Sequence, residues 1–193
     1  MQKPVDFAVG EDRILSTSRL ILRKLTRDDL DFVAELRGDA EVMRYYPKVL
    51  SREESLEVIE RQLQRYADDG HGIWLASEKE SNAPRGLVGV AKQFVEGETL
   101  IEVGYMIHRS FWKQGLASEA AMACYHWAFE HLETSLVCSL IRPENLPSQG
   151  VARKLGLVPR SQLVMHYGFP HHVFEMPRER WQNSRMGLVD TVS

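Results

Sequence analysis

Three short β-forming segments follow one another between Gly72 and His108 with only turns between them. They are GIWLAS (Gly72–Ser77), GLVGVAKQF (Gly86–Phe94) and LIEVGYMIH (Leu100–His108), separated by the turn-rich SNAPRG and by VEGE. Connections this short join antiparallel neighbours, because a parallel crossover needs about a dozen residues or more. The middle of the chain is therefore committed to an antiparallel meander.

The flanking sequence adds helices and strands in alternation. RLILRKL (Arg19–Leu25) reads as a strand, and Thr26 with Asp29 has the spacing of a capping box. Leu30, Val33 and Leu36 then share one helical face, which Gly38 can close. Ser51 and Glu54 open a second helix whose apolar stripe is Leu56, Ile59, Leu63 and Tyr66, ending at Gly70. After the meander come an alanine-rich helix (Leu116–Leu132), a buried-type strand (Ser135–Arg142), a short helix (Leu146–Gly156) and two final strand segments. The order β-α-α-β-β-β-α-β-α-β-β predicts a mixed α/β sheet flanked by helices.

With 193 residues, 44% hydrophobic and 26% charged, the chain reads as one globular domain over residues 14–181. Residues 1–13 read as an N-terminal arm and residues 182–193 as a C-terminal tail. A formal net charge of −3 gives no basic footprint, so no nucleic-acid partner is expected. No apolar run approaches the roughly 18 residues of a membrane span, and the first residues lack a signal-type apolar core. No membrane association and a cytoplasmic location are the expectations. Cys124 and Cys138 sit among apolar neighbours and read as buried, reduced thiols.

Most of the chemistry concentrates in GYMIHRSFWKQGLASE, from Gly104 to Glu119. A strand ends near His108 and a long helix begins near Leu116, with Gly115 at the corner. The first N–H groups of that helix lack internal partners, and with the helix dipole they suit an anion such as phosphate. Lys113 and Gln114 can add side-chain donors; the competing reading is a plain strand-turn-helix corner. The Walker A and GxGxxG patterns are missing, which removes the main support for a nucleotidase or a hydride-transfer enzyme. No nucleophile elbow is present, and the seven histidines have no metal-ligand spacing, so no metal is expected.

FWKQGLASEA resembles the acyl-CoA pyrophosphate loop of the GNAT acetyltransferase superfamily. More narrowly, it resembles the branch of the bacterial ribosomal-protein serine/alanine N-terminal acetyltransferases. The matching residues are Trp112, Lys113, Gln114, Gly115, Leu116, Ala117, Ser118, Glu119 and Ala120. The resemblance extends to SRLILRKLTRDDLDFVAEL, to IEVGYMI and to NLPSQGVARKLGL, in the family's order. It implies a central, mostly antiparallel sheet with a splayed parallel pair, the pantetheine arm of acetyl-CoA entering the gap.

The same resemblance implies residue roles. Backbone groups around Met106 and Ile107 would pair with the pantetheine, one N–H facing the thioester oxygen. The N–H groups from Lys113 through Gln114, Gly115, Leu116 and Ala117 to Ser118 would cradle the pyrophosphate. Glu102 would be the general base for an amine acceptor, a peptide N-terminus or a small amine. The family's usual tyrosine acid is absent from QGVARKLG; Ser148 takes that role in the branch resembled, with helix N-cap as its competing role. Asn145 would bond the pantetheine or the loop backbone, or is a turn residue. Arg153 and Lys154 either reach a 3′-phosphate or form a solvated face. Gly104 within its strand suggests a bulge or a close backbone approach. The implied activity is acetyl transfer from acetyl-CoA to a primary amine. A non-catalytic acyl-CoA-binding module is the alternative, and a homodimer is compatible with the fold.

Overall fold

In the computed structural model, which describes residues 6–7 and 13–186, the expected meander is the middle of a nine-stranded sheet. Its strands are β4 (Ile73–Glu78), β5 (Pro84–Val95) and β6 (Glu98–Ile107). On one side lie β1 (Asp6–Phe7), β2 (Arg13–Ser16) and β3 (Leu20–Arg23). On the other lie β7 (Leu136–Ile141), β8 (Val158–His166) and β9 (Phe169–Pro177). The spatial order is β1-β2-β3-β4-β5-β6-β7-β9-β8. Every pairing is antiparallel except β6 with β7, which is parallel and registers at a single pair, Glu102 with Cys138.

Two segments differ from the expected boundaries. Asp6–Phe7 and Arg13–Ser16 pair as strands at the sheet edge, within or against the expected arm; the rest of residues 1–12 lies outside the described residues. At the other end α5 (Arg178–Met186) continues past Trp181, and residues 187–193 lie outside the described residues. Arg178 explains why a helix starts here: its guanidinium donates to the carbonyls of Phe129, Leu132 and Thr134 and fixes the turn.

The capping boxes are present. Ser51 and Glu54 exchange bonds at the start of α2 (Arg52–Asp68). Thr26 and Asp29 do so too, but around a 3-10 turn, after which α1 (Leu30–Gly38) begins. The alanines of α3 (Leu116–His131) let that helix sit close to the strands; Ala120, Ala121, Ala123 and Ala128 are all buried.

Strand alternation sorts the two faces of the sheet. Trp74, Val88 and Tyr105 are register partners, and Trp74 packs edge-on against Trp127 of α3, so this row faces α3. Ile73, Gly89 and Gly104 form the next row and face the other way, as do Glu102 and Met106. Gly104 lies in regular register with β5, so the expected bulge is not found there, and an added Cβ would meet only Ile73 Cδ1 at 3.6 Å. Both cysteines are free and buried, and among the described residues no helix is long and apolar enough to cross a membrane.

Candidate functional site

Beyond Glu102 and Cys138, β6 and β7 part. A buried polar chain pins them at the fork: Ser139 Oγ donates to Val103 O (2.6 Å) and shares a hydrogen bond with the Tyr125 hydroxyl of α3 (2.9 Å). The gap opens into a cleft of about 540 Å³. Tyr105, Met106 and Ile107 line its sheet side.

The backbone of β6 reaches this cleft in alternation. His108 N–H donates to Arg85 O across to β5, whereas Ile107 O accepts from Trp112 Nε1 (2.7 Å). A strand residue points its N–H and C=O to the same side, so the Met106 peptide groups turn toward β5 and those of Tyr105 and Ile107 toward the gap. Met106 therefore lines the cleft with its side chain and Ile107 with its backbone.

The corner between β6 and α3 forms a cradle. Lys113 (φ 62) and Gly115 (φ 80) are both left-handed. Two such turns one residue apart curl successive N–H groups inward, and the unpaired N–H groups of the first turn of α3 add to them. Lys113, Gly115, Leu116, Ala117 and Ser118 all line the cleft. Gln114 does not: its amide donates to Ser110 O (3.3 Å). Lys154 lines the cleft, while Arg153 donates to Gln149 Oε1 (2.9 Å) and lies over the Phe174 ring.

Glu119 holds the cradle from behind. Its carboxylate accepts from Thr17 Oγ1 (2.5 Å), Ser18 Oγ (2.9 Å), Arg19 N–H (2.8 Å) and Arg19 Nε (2.7 Å). The same Arg19 donates to Gln114 O (2.9 Å), tying the β2–β3 turn to the loop. Burial by itself would push the Glu119 carboxyl up, but the bonds from Thr17, Arg19 and Ser18 outweigh it and hold its pKa below the ordinary range. This clamp was not read from the sequence: its partners lie about a hundred positions apart, and only the Ala-Ser-Glu-Ala run hinted at Glu119.

On the opposite wall stands α4 (Leu146–Lys154). Asn145, not Ser148, is its N-cap: Asn145 Oδ1 accepts from Ser148 N–H (3.2 Å). Ser148 is thus one turn inside the helix. Its carbonyl accepts from the Tyr105 hydroxyl (2.9 Å), and its own hydroxyl lines the cleft without a protein partner among the described residues. Burial pushes the Tyr105 phenol well above its usual range, so it stays protonated and donates.

Glu102 does not line the cleft itself. It sits at the fork on the face away from α3, its carboxylate accepting from Gln93 Nε2 (2.7 Å). Burial raises its pKa; the Gln93 amide, the Leu140 N–H and Arg65 pull the other way and do not cancel it. A third wall, absent from the sequence reading, is the α1–α2 link, where Val42, Tyr45 and Tyr46 face the cleft and Glu41 pairs with Arg44.

The acetyltransferase (GNAT) domain profile matches residues 19–158. The chain belongs to the GNAT acetyltransferase family. This GNAT chain is 31% identical over 162 residues to the uncharacterized protein YkkB of Bacillus subtilis, covering 83% of this chain and 94% of that one. Among the solved structures that share its fold, two at 16% identity hold coenzyme A. RimL, a ribosomal L7/L12 α-N-protein acetyltransferase in complex with coenzyme A, superposes with a TM-score of 0.67 over 85% of this chain and 97% of that one. The aminoglycoside acetyltransferase AAC(6′)-Ib, also in complex with coenzyme A, gives 0.73 over 86% and 99%.

Proposed function

We propose that this GNAT protein transfers the acetyl group of acetyl-CoA directly to a primary amine. The observation that carries the reading is the strand fork with an N–H cradle at its mouth. It offers a slot for an extended amide-bearing chain and, at one end, a backbone site for a pyrophosphate. RimL and AAC(6′)-Ib, which share the fold, have coenzyme A bound.

The reading assigns the pyrophosphate to the N–H groups of the Lys113–Ser118 loop and the pantetheine amides to the gap-facing peptide groups of Tyr105 and Ile107. The Met106 side chain would pack on the arm, and Asn145 would hold the α4 turn beside it. Lys113 and Lys154 would add positive charge near the phosphates.

An ammonium has no lone pair, so transfer begins with proton loss to Glu102, directly or through water. A raised carboxyl pKa makes Glu102 a stronger base than an exposed glutamate. The amine nitrogen then attacks the thioester carbonyl carbon, and a gap-facing N–H of β6 faces the oxygen that gains charge. As the carbonyl re-forms, the C–S bond breaks, the nitrogen sheds its second proton to leave the amide on the acceptor, and the thiolate takes that proton up. Ser148, with its free hydroxyl on the cleft, is the group to hydrogen-bond that sulfur. An α-amine, with a pKa of about 7.7–8.0 against about 10.4 for lysine, asks least of this base.

Calorimetric titration with acetyl-CoA, with dephospho-CoA as comparison, tests the reading. Micromolar binding followed by acetylation of an amine in a screen of peptides and small amines is expected. Binding without transfer to any acceptor would make the protein a non-catalytic acyl-CoA module; no binding would end the reading.

A further inference from the structure

Strand alternation divides the surroundings of the cleft into two faces. Glu102, Gly104 and Met106 point away from α3. His108 continues that row just past β6 and meets α1: its Nε2 lies 3.2 Å from Glu35 Oε1, and its ring centroid 6.3 Å from that of Phe32. Arg109 pairs with Asp39 at the end of α1 (2.9 Å). The α1–α2 link therefore starts on the face where Glu102 stands. Tyr105 points to the other face, and its hydroxyl meets Ser148 O of α4 there (2.9 Å). An acceptor whose nitrogen lies at Glu102 would touch the link.

The chemistry of that wall is specific. Val42, Tyr45 and Tyr46 line the cleft from it, with Glu41 and Arg44 as its charged members. Those two form an ion pair with each other, so neither is offered unpaired to a ligand. Among the described residues, the other charged groups lining the cleft are Lys113 and Lys154, which the transferase reading gives to the phosphates. A second ammonium on the acceptor would find no free carboxylate here, and an oxyanion no free cation. Either would lose water without gaining a partner, which is costly. The rings offer the opposite: Tyr46 is 41% exposed. Covering that surface with hydrocarbon or a second ring is favourable.

We infer that the acceptor is a monoamine with an uncharged, apolar body, an aryl or hydrocarbon group seated on Tyr45 and Tyr46 while the nitrogen lies at Glu102. This rests on the transferase reading above and adds the substrate class to it. Tyr46 is a specificity-determining residue, acting through its ring.

Initial rates with acetyl-CoA on matched acceptors test it. Hexylamine with 1,6-diaminohexane isolates a second ammonium, phenylalaninol with phenylalanine isolates a carboxylate, and phenethylamine with ethylamine isolates the apolar body. Peptide amides starting with phenylalanine or aspartate put the same question to a chain N-terminus, and so separate a small amine from a peptide as the source. Within each pair of at least one source, the apolar, singly charged member is expected to lead by about tenfold or more in kcat/KM, mostly through KM. In Y46A the lead of phenethylamine over ethylamine, or of the phenylalanine-started peptide over the other, is expected to fall at least fivefold. In Y46F it should hold, because the ring and not the hydroxyl makes the seat. Equal rates within the pairs, a lead for the diamine, the amino acid or the aspartate-started peptide, or an unchanged lead in Y46A would overturn the inference and leave the transferase standing. No transfer to any acceptor would overturn both. The wild-type ratios decide the matter even if Y46A fails to fold.

Discussion

The two sides of the cleft are built from different material. The Lys113–Ser118 side is main chain: two left-handed residues and a helix start, all within one contiguous stretch. The acceptor side, where Tyr45 and Tyr46 line the cleft and Glu102 stands behind it at the fork, is side chain, brought together from the α1–α2 link and β6. Main-chain sites tolerate most side-chain changes and are broken through backbone geometry or its supports. Side-chain sites are broken one residue at a time, and are correspondingly easy to retune.

The largest expected effect therefore lies on the side-chain wall. Glu102→Gln should lower kcat by about 10²-fold or more while acetyl-CoA affinity, measured by calorimetry, stays nearly intact. Since a base works deprotonated and the Glu102 pKa is raised, wild-type kcat/KM should fall as pH drops through a value above the ordinary carboxylate pKa of about 4.3. That acid limb should vanish in the variant; its persistence would assign the base elsewhere.

On the main-chain wall the support is the more sensitive target. Glu119→Ala should cost about 1–3 kcal/mol in denaturant unfolding, discounted because Arg19 is half exposed, and should weaken acetyl-CoA binding without a matching loss in kcat. Because the folded-state pKa of Glu119 is depressed, its stabilisation is present above the unfolded value of about 4.3 and lost as pH falls through the folded one. Wild type and variant should converge in stability at acid pH. Gly115→Ala forces a left-handed alanine at about 1–2 kcal/mol, with no clash to add, since the new Cβ would lie 3.6 Å from Arg19 Nη2. An unaltered affinity in that variant would mean the cradle does not depend on its corner.

The smallest pair separates two neighbours. Asn145→Ala should cost about 1 kcal/mol as a lost N-cap. Ser148→Ala should leave stability within about 0.5 kcal/mol, because the serine is not the cap. Any few-fold fall in its kcat then reports on the leaving sulfur alone.

The same division explains what the sequence revealed. Strands, helices and capping boxes are local, and the meander, the alanine helix and the Gly115 corner were all legible. The fork between β6 and β7 came from resemblance, because nothing local marks a pairing that stops after one register pair. The Glu119–Arg19 clamp and the Tyr45–Tyr46 wall were not legible, because each meets its neighbours only after folding. Asn145 and Ser148 show the limit at close range: both favour caps, and only the actual first turn decides which one is used. Gln114 shows it too, since a donor beside an anion site can as easily bond its own loop.

The single register pair between β6 and β7 has a consequence for how the protein is handled. The peptide N–H groups of Tyr105 and Ile107 are left without a neighbouring strand, so a bound extended ligand would act as the missing one. Amide exchange at these two positions should then be fast in the free protein and slow in the liganded one. Thermal stability should rise with ligand concentration as RT ln(1 + [L]/Kd), about 2.7 kcal/mol at a hundredfold excess over Kd. A preparation stripped of ligand would be the one most prone to pair its open strand edge with another chain.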